Sequence, residues 1–142
     1  MPDLKARLAN KPPNELAKGF LDALERRFGC KAFVTDEHFV IATTSQPSIQ
    51  SLLGELIGSD VEQMIRKNKC LAREGLHVLN ARTEEEFTAI LGFGNGPWRG
   101  ALVLLDPDHC PDDLFMAALT TARLLDGQAL TVKAPPKEEQ RW

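Results

Sequence analysis

The chain has 142 residues, 43% of them apolar and 26% charged, with a formal net charge of −3. These values fit one globular domain and exclude the basic balance of a free-standing nucleic-acid or anionic-membrane binder. No apolar run approaches the ~20 residues of a membrane-spanning helix, and the leading MPDLKARLANKPP lacks the apolar centre of a signal peptide. A cytoplasmic protein without membrane association is expected.

Residues 1–13 read as a charged lead-in, 14–127 as the domain and 128–142 as a C-terminal tail. Asn14 is placed to cap a helix over Glu15–Phe28. Leu16, Phe20, Leu24 and Phe28 repeat every fourth residue there, with Ala17, Leu21 and Ala23 widening the stripe. Gly29 fits the left-handed position after a helix. Cys30–Thr35 and His38–Thr44 are β-rich runs joined by a turn at Asp36-Glu37, which is weaker turn chemistry than Asn-Gly. After Pro47, the residues Ile49, Leu52, Leu53, Leu56 and Ile57 form a helical stripe that Gly58 ends. Ser59-x-x-Glu62 has the form of a capping box for a helix carrying Val61, Met64 and Ile65.

Leu76–Leu79 is a short strand and Arg82–Glu86 a polar connection. Phe87–Phe93 and Gly100–Leu105 are the strongest strands, joined through Gly94-Asn95-Gly96-Pro97 with its hairpin dipeptide. Pro111, Asp112 and Asp113 open a last helix, where proline and carboxylates suit the first turn. Its apolar positions Leu114, Phe115, Ala118, Leu119, Ala122 and Leu125 cover more than one face before Gly127. The order reads as one antiparallel sheet with helices on it. The first and last helices both carry apolar surface to spare, and a homodimer through Leu16, Phe20, Leu24, Leu114, Ala118 and Ala122 is expected.

Motifs of catalysis are weak. Gly92-x-Gly94-x-Gly96 and Gly100 look like a phosphate loop, but a strand follows where such a site needs a helix N-terminus, so a glycine-rich turn is the better reading. The three cysteines, Cys30, Cys70 and Cys110, are odd in number and share no context, which argues against a disulfide framework. With His38, His77 and His109 they show no paired spacing of a zinc site. Cys70 is the more interesting thiol, since Lys67 and Lys69 would favour its thiolate, although a small apolar filler is the commoner role. Glu84-Glu85-Glu86 reads as a solvated turn and Asp112-Asp113 as helix capping. No cofactor, no metal and no catalytic residue is expected.

The stretch Leu16–Leu24, then Ala32–Asp36, Phe39–Thr43 and the two helices to Asn68, resembles a GAF domain. It is most similar to the C-terminal GAF domain of stage V sporulation protein T. The closing strand Gly100–Leu105 and the helix through Ala122 agree, so the resemblance covers about residues 14–126. It implies an α+β fold: an antiparallel sheet of five to six strands, terminal helices on one face, and two helices plus loops over the other. It also implies a non-catalytic regulatory or sensory domain tied to transcriptional, sporulation-type control.

The lead-in is too short for that family's DNA-binding part. The resemblance therefore implies either an excised domain or a stand-alone one acting through a regulatory protein partner, without direct nucleic-acid contact. A pocket for a small metabolite is implied between the sheet and the second helical layer. By position, Phe39, Ile41, Ser45, Gln46, Leu53, Met64, Leu79, Asn80, Thr88 and Ile90 would line it. Two rivals stay open: a thiol enzyme of the free methionine-R-sulfoxide reductase type, and a pure interaction module of PAS, roadblock or longin type.

Overall fold

The computed structural model describes residues 13–94, 99–105 and 112–125. The lead-in 1–12, the Asn95-Gly96 turn, His109, Cys110, the Pro111 cap, Gly127 and the tail 128–142 lie outside them.

Helix α1 spans Pro13–Phe28, so Asn14 sits in the first turn rather than before it. Its stripe buries Ala17, Leu21 and Leu24. Gly29 ends it at φ +67, its amide returning to the Glu25 carbonyl at 2.7 Å. Strands β1 (Lys31–Thr35) and β2 (Val40–Thr43) follow, then a short helix α2 (Pro47–Gln50) and helix α3 (Ser59–Lys67). Next come β3 (Cys70–Arg73), β4 (Leu76–Leu79), β5 (Arg82–Glu84), β6 (Thr88–Phe93) and β7 (Gly100–Leu105). Helix α4 (Asp112–Leu125) is the last described element.

The main sheet is antiparallel, with strand order β2-β1-β7-β6-β3; β4 and β5 pair separately. β7 is central and buried along its whole length, which is why Gly100–Leu105 reads so clearly as a strand. Side-chain alternation splits the core in two. On one face Ala32, Val34, Leu91, Phe93, Leu102 and Leu104 pack under α1 and α4. On the other, Phe33, Ile90 and Val103 pack under α2, α3 and β4. Terminal helices thus cover one face and the middle helices the other.

Two local expectations are corrected. The stripe from Ile49 to Ile57 is not one helix. The chain leaves helical geometry after Gln50, Gly54 takes φ +88, and residues 54–57 turn back onto β2. There the Val40 amide donates to the Glu55 carbonyl at 2.9 Å, and the Gly54 amide to the Val40 carbonyl at 3.0 Å. Ile49 and Leu52 are buried, whereas Leu53 and Leu56 are exposed. The capping box does not form either. Gly58 is the N-cap of α3, Ser59 is its first residue, and no side chain caps it. The Ser59 amide donates instead to His77 Nδ1 at 3.0 Å, and Glu62 pairs with Arg66 at 3.0 Å. A side chain at Gly58 would collide with the His77 carbonyl, so the bare backbone at the cap is required by β4.

Candidate functional site

Of the residues expected to line a pocket, Ile41 and Leu53 share one open groove of about 610 Å³ with Lys18, Thr43 and Gln50, and the other eight do not join them there. Met64, Leu79, Thr88 and Ile90 are buried in the α3-side core, and the Thr88 hydroxyl donates to the Glu86 carbonyl at 3.1 Å. Phe39 and Leu53 stand 44% and 58% exposed. Ser45 is exposed and bonds through its amide to Glu25 at 2.9 Å, and Gln46 donates to the Cys30 carbonyl at 3.0 Å. Asn80 is exposed. Periodicity assigned these residues to faces, but it carries no information on which apolar side chains interlock and which leave a gap.

A second gap lies at the corner where β1 turns into β2. The turn is closed by Asp36, whose Oδ1 accepts the amides of His38 at 2.7 Å and Phe39 at 2.8 Å. Beyond it the β1–β2 register moves from Val34↔Ala42 to Thr35↔Val40, which leaves Ile41 as the extra residue of a β-bulge. A bulge re-aims a side chain, and Ile41 lines a cleft of about 260 Å³. The apolar floor of the cleft comes from Ala17, Val34, Ile41, Phe93 and Leu125, that is, from both terminal helices and three strands. Asp36, Glu37, His38 and Arg99 form its polar rim.

Arg99 reaches the rim because of its neighbour. A side chain on Gly100 would run into the Thr35 carbonyl, so glycine lets β7 start hard against the end of β1. Arg99 is thereby set beside the turn, its Nη1 3.3 Å from Glu37 Oε2. Both side chains are about half exposed. Gly92 has a similar role, since a Cβ there would meet the Met64 carbonyl at the end of α3. These two glycines of the phosphate-like loop serve close backbone approach. Thr35 also lines the cleft, but strand alternation turns its side chain to the α3 side with Phe33 and Ala101. Its hydroxyl there is buried and has no partner among the described residues.

Neither of the described thiols, Cys30 and Cys70, is activated. Cys70 is an exposed residue of the edge strand β3, yet partial desolvation raises its thiol above its ordinary value and outweighs the opposing pull of Arg123. The cation that acts on Cys70 is therefore Arg123 of α4, not Lys67 or Lys69. Burial likewise raises Cys30. Among the described residues, no group of three or more His, Cys, Asp or Glu side chains could hold a metal ion, and no helix is long and apolar enough to cross a membrane.

Of the six residues expected at a dimer interface, Leu24, Leu114, Ala118 and Ala122 are buried within the single chain, in the core between α1, α4 and the sheet. They are used up by folding and cannot face a partner. Leu16 and Phe20 remain half-buried, and Met116 on α4 is 56% exposed.

No family model and no curated protein matches this sequence. Among solved structures, the chain is similar to the inducer-binding domain of the PobR transcription factor from Acinetobacter, solved as a double mutant in complex with 3-hydroxybenzoic acid. The TM-score is 0.56 at 13% identity, over 80% of this chain and 97% of that one. At this identity the likeness is one of fold. The architecture is α+β and GAF-like.

Sequence reasoning found Ile41 but missed the rim and the rest of the floor. Glu37 read only as a turn residue and Phe93 only as a strand residue. Arg99 carried no signal, because its position depends on the pairing of β1 with β7, far apart in sequence.

Proposed function

We propose that this chain is a regulatory, non-catalytic domain that receives a small molecule in the cleft at the β1–β2 corner. One observation carries the reading: an apolar floor drawn from five separate elements, rimmed by an opposed pair of charges. Concave apolar walls with a few polar groups are the usual form of a small-molecule site. The GAF-like fold supports it, because the similar PobR domain is an inducer-binding domain of a transcription factor. The resemblance to the sporulation regulator supports a role in transcriptional control of that type. The raised pKa values of Cys30 and Cys70 favour a regulatory domain over an enzyme that uses either of these thiols. Homodimerisation belongs to the same reading, through the outward residues Leu16, Phe20 and Met116 rather than the buried ones.

Thermal denaturation in the presence of a metabolite panel tests this. A ligand at a hundred times its Kd stabilises the native state by about 2.7 kcal/mol, a shift of several degrees for a chain of this size. Ile41→Trp, which fills the cleft from a half-buried position, abolishes the shift. A shift that survives Ile41→Trp unchanged would place the ligand elsewhere and refute the assignment.

A further inference from the structure

We propose that the groove beside the edge strand β2 is the docking site of the chain's own lead-in, residues 1–12, which Leu4 and Leu8 anchor there. Two adjoining hollows of about 610 and 460 Å³ run along β2 and share Asn14, Ile41 and Leu53. One wall is the first turn of α1, through Asn14, Glu15 and Lys18. The other is the loop after α2, through Leu53 and Gly54. Scattered exposed apolar side chains need no explanation. Leu53 differs, because it stands 58% exposed in the same hollow as Ile41 and its loop is tied down. The Leu53 amide donates to the Gln50 carbonyl at 3.1 Å, and the Gly54 amide to the Val40 carbonyl at 3.0 Å. The backbone thus holds an apolar surface open along β2.

The place where the lead-in joins α1 selects it as the occupant. Helix α1 starts at Pro13, and Asn14, the next residue, lines both hollows. The lead-in therefore leaves the helix at the wall of the groove. Pro12 and Pro13 bias the residues before them away from helical geometry, so the segment is not bound to continue the α1 axis and turns back over β2. Met1, Leu4 and Leu8 fall on one face of a helical turn, with Asp3, Lys5 and Arg7 off it. Leu8 lies six residues before Asn14, a reach of about 9 Å if helical and about 20 Å if extended. Charge agrees: Lys5, Arg7 and Lys11 outnumber Asp3 in the lead-in. The groove offers Glu15 and Asp36, while Lys18 is already paired with Asp22 at 3.2 Å. A segment tethered this closely acts at an effective concentration on the order of millimolar, an advantage that a second copy lacks.

The test is methyl NMR of the full chain. Nuclear Overhauser contacts are expected from the methyls of Leu4 or Leu8 to those of Ile41 and Leu53. A mixture of differently labelled copies identifies their source. Contacts within one molecule support the proposal; contacts only between molecules put a second copy in the groove and overturn it. Absence of any contact from the lead-in to Leu53 overturns it as well. A double-mutant cycle gives an independent readout. Leu53 is the probe, because Ile41 also lines the cleft at the β1–β2 corner. Leu53→Ser should lower the urea midpoint of the intact chain and leave it unchanged where Leu4→Ser and Leu8→Ser are already present. Equal losses in both backgrounds would show that the lead-in does not rest on Leu53, and the proposal would fall.

Discussion

The guanidinium of Arg99 lies 3.3 Å from the carboxylate of Glu37, tying the start of β7 to the β1–β2 turn. The contact closes no core and buries little, since both side chains remain about half exposed. Screened pairs of this kind contribute about 0–1 kcal/mol. Glu37→Gln is therefore expected to change the free energy of unfolding by less than about 1 kcal/mol, measured by urea denaturation. A larger loss would mean that the pair holds the fold together rather than dressing the rim of the cleft.

Gly92 and Gly19 form a contrast. A Cβ at Gly92 would meet the Met64 carbonyl, and backbone atoms cannot swing aside. Gly92→Ala should destabilise the protein by about 1–3 kcal/mol, the usual range for overpacking. Gly19 lies in α1 with nothing within 4 Å of a built Cβ. Gly19→Ala should stabilise by about 0.5–1 kcal/mol through helix propensity. Opposite signs in denaturation midpoints would confirm the packing of α3 on β6.

The buried Thr35 hydroxyl has no partner among the described residues. Leaving such a group unsatisfied costs about 1–3 kcal/mol. Thr35→Val, which keeps the shape and removes the hydroxyl, should raise stability by about 1 kcal/mol. A loss of stability would reveal a partner for the hydroxyl.

Cys70 should behave as a sluggish nucleophile. Partial desolvation raises its pKa although the residue is exposed, so the thiol stays protonated at neutral pH and iodoacetamide alkylation is slow, quickening only above the ordinary thiol range. Arg123→Ala removes the opposing charge and should slow alkylation further at fixed pH. The sign for stability follows from linkage. Between the unfolded and folded pKa values the native state holds more protons, so the stabilising contribution is full below the unfolded value and is lost as pH rises through that window. Rapid alkylation at pH 7 would contradict this environment.

Legibility tracked burial. α1 was readable because it buries one face through Ala17, Leu21 and Leu24, and β4 and β7 because nearly every position in them is apolar and buried. β3 was not, because Cys70–Arg73 is an edge strand with a mostly exposed pattern, and its basic approach reads as the end of a helix. β5 failed for the same reason, being polar and paired only with β4. The stripe from Ile49 to Ile57 matched a helix by count, yet Gly54 and the hydrogen bonds to Val40 override propensity. The cleft was legible only at Ile41. It is made by a bulge, a glycine-permitted close approach and the ends of two helices, and none of these leaves a periodic trace.

The most direct measurement is amide NMR of the protein exposed to a deproteinised extract of small metabolites, with the shifts mapped onto the fold. The account predicts shifts concentrated at Val34, Ile41, Phe93 and Arg99 around the β1–β2 corner. Shifts centred on Phe33, Ile90 and Val103 under α3, or no shifts at all, would contradict it.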